Sequence, residues 1–227
     1  MTAAGWAPYG TRTEPYQATR TRVRRELGIP EDAIVFGIAG SLAWSSRFEY
    51  CYGRELVEAF RRARAPHLRI LIVGDGPGKD HLERLAGDAL GKEVILTGRV
   101  PRERVPDYLD AMDIGSLPQS VDGVGSFPYT TKISDYLARQ LPIVTTSIPA
   151  SYDLDYGCLW RLPGSAPWDD RFIQALTDLM ARITPMEIEE HRSAVSSIPD
   201  LFCKADQVAR TKLFLSDLLN SFNAGGL

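Results

Sequence analysis

The sequence predicts an α/β protein built on a parallel sheet of about six strands, with helices on both faces. Short apolar runs alternate with segments of helical periodicity along most of the chain, which is typical of parallel strands joined by crossover helices. The apolar runs are continuous, as expected for strands that are covered on both faces. The chain has 227 residues, enough to bury a large core.

The chain begins with a stretch that has no regular period. Residues 1–17 are rich in Gly, Pro, Thr and Ala, which indicates an extended arm. Residues 18–27 form a predicted short helix with four arginines, ending near Gly28 and Pro30. Residues 1–29 are therefore assigned to an N-terminal arm and short helix.

The regular part of the chain follows this arm. The predicted strands cover residues 33–38, 69–73, 93–97, 113–117, 142–146 and 158–162. Between them, the predicted helices cover residues 55–64, 79–90, 102–112 and 130–139, and after them residues 169–182, 186–197 and 204–222. This order predicts one Rossmann-like domain over residues 30–182, with C-terminal helices over residues 183–227 packing on it.

The composition excludes several classes of function. The net charge of −3 argues against a nucleic-acid partner. Three cysteines without close spacing favour a reducing compartment, and three scattered histidines predict no metal site. No apolar run approaches the roughly 20 residues that span a bilayer, and the N-terminus lacks the pattern of a signal peptide. We therefore expect a cytoplasmic protein.

Ligands of parallel sheets bind at the carboxyl ends of the strands, where the strand order reverses. Four predicted loops lie at these ends: residues 40–51, 74–78, 97–102 and 118–131. The sequence Gly-Asp-Gly-Pro-Gly of the second loop fits neither common phosphate-binding pattern, which favours a tight structural turn. The first loop opens with Gly40 and Ser41, and its Arg47 is either a phosphate ligand or a solvated side chain.

The most informative loop precedes the helix predicted to begin near Thr130. The free N–H groups of that helix end, with the helix dipole, would stabilise a diphosphate. Lys132 lies in the first turn, where a cation is unfavourable unless an anion binds nearby. Asp135 lies one turn further, where its carboxylate is either a ribose ligand or a partner of Lys132 in a surface ion pair.

A family resemblance emerges from six ordered motifs. They are Gly40-Ser41-Leu42, the strand and turn at 71–77, the segment 94–100, the helix and strand at 105–114, the segment 128–138 and the strand at 141–145. Together they resemble the C-terminal, donor-binding domain of retaining GT-B glycosyltransferases, which form glycosyltransferase family 4, or glycosyl transferases group 1. The resemblance covers residues 19–182.

The resemblance implies a UDP- or GDP-linked sugar as the donor substrate, with no further cofactor and no metal. It implies that Lys132 and Arg47 contact the donor diphosphate and that Asp135 binds the ribose. The remaining implied contacts are the loop residues Gly40 and Ser41, the base neighbours Gly98, Arg99 and Val100, the sugar-facing Asp122, Gly123 and Gly125, and the helix-end residues Thr130 and Thr131.

Two departures from the family pattern concern acidic residues. Asp135 replaces a glutamate that the family uses, and Phe127 stands where the family has a second glutamate. Asp122 is the nearest acid to that position. The identity of the donor sugar therefore stays open.

Enzymes of the resembled family have two Rossmann-like domains, and the sequence matches only the second. Three interpretations remain: a donor-binding half completed by an N-terminal acceptor domain or partner chain, a nucleotide-sugar-binding subunit without activity, or a scaffold with structural glycine turns. The final helix has an apolar face that must pack elsewhere if the first domain is absent; its members are Val208, Leu215, Leu218, Leu219 and Phe222.

Clustered arginines raise the question of membrane contact. They are Arg20, Arg22, Arg24 and Arg25 in the first helix, and Arg61, Arg62 and Arg64 in the next. Such groups either touch anionic lipid at the inner face of the membrane or form a solvated face. Interspersed acidic residues favour the solvated face.

Overall fold

The computed structural model of the chain describes residues 15–126, 130–153, 157–195 and 202–224. Its centre is a six-stranded sheet in the order β3-β2-β1-β4-β5-β6, with every neighbouring pair parallel. The strands are β1 (Ile34–Ala39), β2 (Leu68–Val73), β3 (Val94–Leu96), β4 (Ile114–Leu117), β5 (Ile143–Thr146) and β6 (Leu159–Leu162). All six predicted strands are present.

The strand order reverses between β1 and β4. The chain moves outward from β1 to β2 and β3, then returns to the other side of β1 and continues through β4, β5 and β6. The loops after β1 and β4 therefore leave the sheet in opposite directions and open a crevice between them. This crevice lies at the carboxyl ends of the strands, where the sequence predicts the ligand-binding loops.

Helices cover both faces of the sheet. They are α1 (Tyr16–Glu26), α2 (Arg54–Ala63), α3 (Lys79–Ala86), α4 (Val105–Asp110), α5 (Thr131–Leu137), α6 (Ala150–Asp153), α7 (Asp170–Arg182), α8 (Pro185–Ala194) and α9 (Lys204–Ala224). The four-residue helix α6 was not predicted. The predicted helix over 102–112 begins as a 3₁₀ turn, Arg102–Arg104, and the predicted helix over 79–90 ends in another, Gly87–Ala89.

Two apolar layers hold the helices against the sheet. Phe36 and Ile38 point into one layer, which includes α2, α3, α7 and α8, while Val35 points into the other, which includes α1, α4 and α5. All three side chains are fully buried. This double coverage explains why the strands are continuous apolar runs.

Two of the clustered arginines form buried ion pairs, whereas the sequence suggested either contact with lipid or a solvated face. Arg24 is 0% exposed and donates from Nη2 to Asp113 Oδ2 at 2.7 Å, while Arg20 Nη1 lies 2.7 Å from Asp113 Oδ1. Arg24 also donates to the carbonyl of Ala33 at 2.8 Å. These contacts fasten α1 to the sheet, so the two guanidinium groups are not available to lipid.

The last helix extends away from the apolar layers. Ile188 of α8 packs into the core, whereas residues 208–220 of α9 are exposed throughout. Its apolar side chains Leu213, Phe214 and Leu219 are each more than 60% exposed, at 66%, 64% and 63%. Among the described helices, none combines the length and apolarity needed to cross a bilayer.

Candidate functional site

A cleft of about 540 Å³ opens at the carboxyl edge of the sheet, beside the switch in strand order. Three segments that are distant in sequence form its walls. They contribute Tyr50 and Tyr52 after β1, Pro118, Gln119, Ser120, Val124, Gly125, Thr130 and Thr131 between β4 and α5, and Trp168 before α7. The cleft therefore joins two of the four predicted loops, 40–51 and 118–131, with the loop before α7, which was not predicted.

Lys132 lies directly behind the wall of this cleft. Its Nζ is 4.2 Å from the centroid of the Tyr52 ring, and Tyr52 itself lines the cleft. A methyl group added at Gly40 would come within 3.2 Å of the same Nζ. Burial lowers the pKa of Lys132, and the charges of Asp135 and Glu55 offset part of that effect. The structure thus brings Gly40 and Lys132 together, and their contact with a phosphate stays a prediction.

The amino end of α5 opens towards the cleft. Its N-cap residue, Thr130, is extended, with φ −96° and ψ 127°. Within the described part of the chain, the Thr130 side chain forms no capping hydrogen bond, and both Thr130 and Thr131 line the cleft. Pro128 and Tyr129 of the same motif, and Phe127, lie outside the described residues. This helix end therefore borders a cavity that a ligand can enter.

A buried carboxylate links the walls of the site. Glu55, at the start of α2, is 0% exposed and accepts hydrogen bonds from Tyr50 Oη at 2.8 Å, Ser116 Oγ at 2.8 Å and Gly53 N at 3.1 Å. Burial raises the pKa of Glu55, although these hydrogen bonds act in the opposite direction. The carboxylate therefore holds the loop after β1 against strand β4.

The glycine turn after β2 supports the site without lining it. Gly74 has φ +148°, and a methyl group added there would lie 1.9 Å from the carbonyl oxygen of Gly40. Two backbone hydrogen bonds join the turn to the loop after β1. Leu42 N donates to Asp75 O at 3.0 Å, and Gly78 N donates to Leu42 O at 2.7 Å. Only glycine fits this approach of two backbones. The turn is structural, as its sequence favours.

The loop that carries Asp122 is organised by that residue's own carboxylate. Asp122 Oδ1 accepts hydrogen bonds from Gly125 N at 2.6 Å and Val124 N at 2.8 Å. These backbone bonds lower the pKa of Asp122. A methyl group added at Gly125 would lie 2.2 Å from Ser120 Oγ, so the turn is tightly packed. Asp122 shapes this wall of the cleft, and contact with a sugar stays a prediction.

Other predicted site residues are more distant from the cleft. Arg47 is exposed in a turn closed by Ser45 and Tyr50, and its guanidinium lies 5.1 Å from the Phe48 ring. Asp135 is only 5% exposed. Ser41, Gly123 and Arg99 are exposed, and Gly98, with φ +69°, and Val100 are half-buried after β3. The roles assigned to these residues remain predictions.

The sequence analysis missed Tyr52, which contacts Lys132, as well as Trp168 and Glu55. Trp168 reaches the cleft from the loop between β6 and α7, and Glu55 lies beneath it. A tryptophan in a short polar loop and an acid at the start of an apolar helix are weak signals. Their meaning depends on which loops the strand order brings together.

A parallel sheet of this order, with helices on both faces and a cleft at its switch point, defines the Rossmann-like half of a GT-B fold. Residues 35–181 match the family model described as Glycosyl transferases group 1. The chain belongs to this glycosyltransferase family, which confirms the resemblance stated above.

Individual relatives support the same assignment. The chain is 26% identical over 199 residues to the 2-deoxystreptamine N-acetyl-D-glucosaminyltransferase of Streptomyces fradiae, covering 82% of this chain and 42% of that enzyme. The fold of the present chain resembles that of Anabaena Alr3699/HepE, which was solved in complex with UDP and glucose. The TM-score is 0.63, with 16% sequence identity, and the match covers 90% of this chain and 53% of that one.

A separate structure matches nearly end to end. The C-terminal domain of LpcC, a glycosyl transferase group 1 family protein from Francisella tularensis, has a TM-score of 0.53 and 16% identity, covering 86% of this chain and 94% of that chain. By contrast, the matches span only 28% to 42% of the length of the curated relatives. The chain therefore corresponds to one part of those enzymes.

Proposed function

We propose that this chain binds a nucleoside-diphosphate sugar in the cleft and acts as the donor-binding half of a retaining glycosyltransferase. The observation that carries the proposal is the position of the Lys132 ammonium. It lies beside Gly40 and within the first turn of α5, next to the switch in strand order. A cation and the first N–H groups of a helix at one place suit a diphosphate.

The chemistry that follows is stabilisation of a leaving group. When the glycosyl–phosphate bond breaks, negative charge develops on the UDP or GDP diphosphate. Lys132 and the N–H groups at Thr130 and Thr131 stabilise that charge without a metal ion. The base lies towards Gly98–Val100 after β3, and Asp135 binds the ribose.

The acceptor is held by another domain in this proposal. Transfer needs an acceptor hydroxyl aligned with the anomeric carbon. The matched part of the chain spans less than half of its curated relatives, which leaves room for an acceptor domain or partner chain in the complete enzyme. A second candidate function is a nucleotide-sugar-binding subunit that is inactive alone.

The test begins with binding. UDP, GDP and their sugars are titrated against the protein, and binding is measured by calorimetry and by the shift in melting temperature. We expect at least one of these nucleotides to raise the melting temperature at millimolar concentration. Failure of all of them would contradict both candidate functions.

A second measurement separates the two candidates. Donor hydrolysis and transfer are assayed with the chain alone and with a Rossmann-like acceptor domain encoded by a flanking or neighbouring gene. Transfer that needs the added domain supports a divided enzyme, and the absence of turnover in either case supports a binding subunit. The anomeric configuration of the product, determined by NMR, tests retention.

A further inference from the structure

An aromatic wall bounds one side of the cleft. It consists of Tyr50 and Trp168. The centroids of these two rings are 5.1 Å apart, and Tyr50 is only 7% exposed. Phe48 stacks on Trp168 from the same loop as Tyr50, with centroids 4.4 Å apart and planes 20° from parallel. Both Tyr50 and Trp168 line the cleft.

We infer that Trp168, supported by Tyr50, packs against the glycosyl group of the donor and contributes to the choice of sugar. The inference rests on the proposed function, because it takes the cleft to be the donor site. It concerns the glycosyl group, which is the part of the donor that lies beyond the diphosphate.

The strand order gives the direction of the sugar. The diphosphate position, beside Gly40 and Thr131, lies at the switch between β1 and β4. The proposed base position, after β3, lies on the β1 side of that switch. A sugar attached to the other end of the diphosphate then extends to the side of β4, β5 and β6. Trp168 follows β6 in the chain and stacks on Phe48 of the loop after β1, so its ring closes the cleft between the two sides.

The aromatic wall is rigidly held. Tyr50 donates its phenolic hydrogen to the buried Glu55 carboxylate. The loop of Trp168 is fixed by Asp169, which accepts hydrogen bonds from Ser165 N at 2.8 Å and Arg171 N at 2.9 Å. Val121 N donates to Ser165 O at 2.7 Å, which ties this loop to the Asp122 turn. A surface held from three directions loses little side-chain entropy on binding.

The chemistry of the wall suits a pyranose. A sugar ring presents C–H groups on its faces and hydroxyl groups around its rim, so it packs on an aromatic surface while its rim stays hydrogen-bonded. Ser120 and Thr130 line the same cleft and supply polar groups for the rim. A bare nucleoside diphosphate has no group that reaches the wall.

The experiment compares two affinities in each variant. Dissociation constants for UDP, UDP-glucose, UDP-N-acetylglucosamine, GDP and GDP-mannose are measured by calorimetry for the wild type, Trp168→Ala and Trp168→Phe. The control is Trp44→Ala, because Trp44 stacks on His81 at a centroid distance of 3.6 Å and does not line this cleft. The quantity of interest is the affinity for the diphosphate sugar divided by that for the matching diphosphate.

In Trp168→Ala we expect this ratio to fall about tenfold for the preferred sugar, with affinity for the diphosphate alone within about twofold of the wild type. Trp168→Phe, which keeps an aromatic ring, is expected to lose less, and Trp44→Ala to change neither constant.

An unchanged ratio, or an equal loss for both ligands, overturns the role of Trp168 while the donor site stands. If Trp168→Ala does not fold, the Trp168→Phe ratio and NMR contacts between the indole protons and the bound sugar decide. Absence of nucleotide binding by the wild type contradicts the proposed function itself.

Discussion

Lys132 combines two properties that rarely occur together on a protein surface. Its ammonium is largely buried against Tyr52, and it lies in the first turn of a helix, where the dipole disfavours a cation. Burial lowers its pKa. A bound diphosphate would offset both penalties, because an anion beside the ammonium favours its charged form.

We expect Lys132→Ala to weaken binding of UDP or GDP by about tenfold or more, because a charge-assisted hydrogen bond is lost. Lys79→Ala is the matched control, since Lys79 is a half-exposed cation paired with Glu83 on α3. In the wild type, affinity is expected to fall on raising the pH through the lowered pKa of Lys132. An affinity that is unaffected by Lys132→Ala would contradict the diphosphate assignment.

Glu55 makes stability depend on pH in a definite direction. Burial raises its pKa above the ordinary value of 4.5, so the group holds its proton to a higher pH in the folded state than in the unfolded state. Its contribution to stability is complete below the unfolded pKa and is lost as the pH rises through the folded pKa. We therefore expect the stability of the wild type relative to Glu55→Gln to decrease as the pH rises from about 4.5.

The measurement is urea unfolding of both proteins over a pH series. Glu58→Gln supplies the baseline, because Glu58 lies on the same helix and pairs with Arg62 at the surface. If Glu55→Gln and Glu58→Gln follow the same pH profile relative to the wild type, the buried carboxylate does not titrate as described.

At the scale of elements, helix α7 determines where Trp168 lies. Asp169 is the N-cap of α7 and accepts hydrogen bonds from Arg171 N and from Ser165 N and Oγ. These backbone bonds lower the pKa of Asp169 to about 2. One carboxylate thus caps a helix, closes the preceding loop and orients the adjacent tryptophan.

We expect Asp169→Ala to lower the free energy of unfolding by about 1 kcal/mol, as for loss of a helix N-cap. The effect is expected at neutral pH and should fade as the pH falls through about 2, where the wild-type carboxyl group also becomes protonated. Chemical denaturation at a series of pH values measures it. Asp169→Asn keeps an acceptor oxygen and should lose less, so equal losses in both variants would argue against the capping role.

The sequence anticipates most elements, because their periodicity reflects burial on one or both sides. The ends of elements follow local geometry instead. The helix predicted over 79–90 stops at Ala86 because Gly87 has φ +58°, which a helix cannot continue. The short helix α6, with four residues, is too brief to show a period.

At the scale of the whole molecule, the body of the domain and its last helix behave differently. Gln207 is 7% exposed, but every residue from 208 to 220 is exposed. An isolated helix of this length is marginal in water, so this part of α9 adds little to the stability of the domain.

Removal of residues 212–227 is expected to change the free energy of unfolding by less than about 0.5 kcal/mol, as for changes at exposed positions. Differential scanning calorimetry, with circular dichroism to follow the loss of helix, measures the effect. The control is Phe202→Ala, because Phe202 is 0% exposed in the core and its truncation should cost about 3 kcal/mol or more. A large loss on truncation would show that α9 packs on the domain in solution.

The sequence by itself determined the class of fold, the order of the strands and helices along the chain, and the loops at the carboxyl ends of the strands, because these follow from local patterns of burial. Only the tertiary structure decided which loops share a cleft. Glu55 and Ser116 are 61 residues apart in sequence, yet they are hydrogen-bonded. Trp168 joins the site from the loop after β6, which is an edge strand of the sheet. Such contacts depend on the strand order β3-β2-β1-β4-β5-β6, which the pairing of whole strands sets and no local pattern encodes. The burial of Arg24 on Asp113 has the same origin.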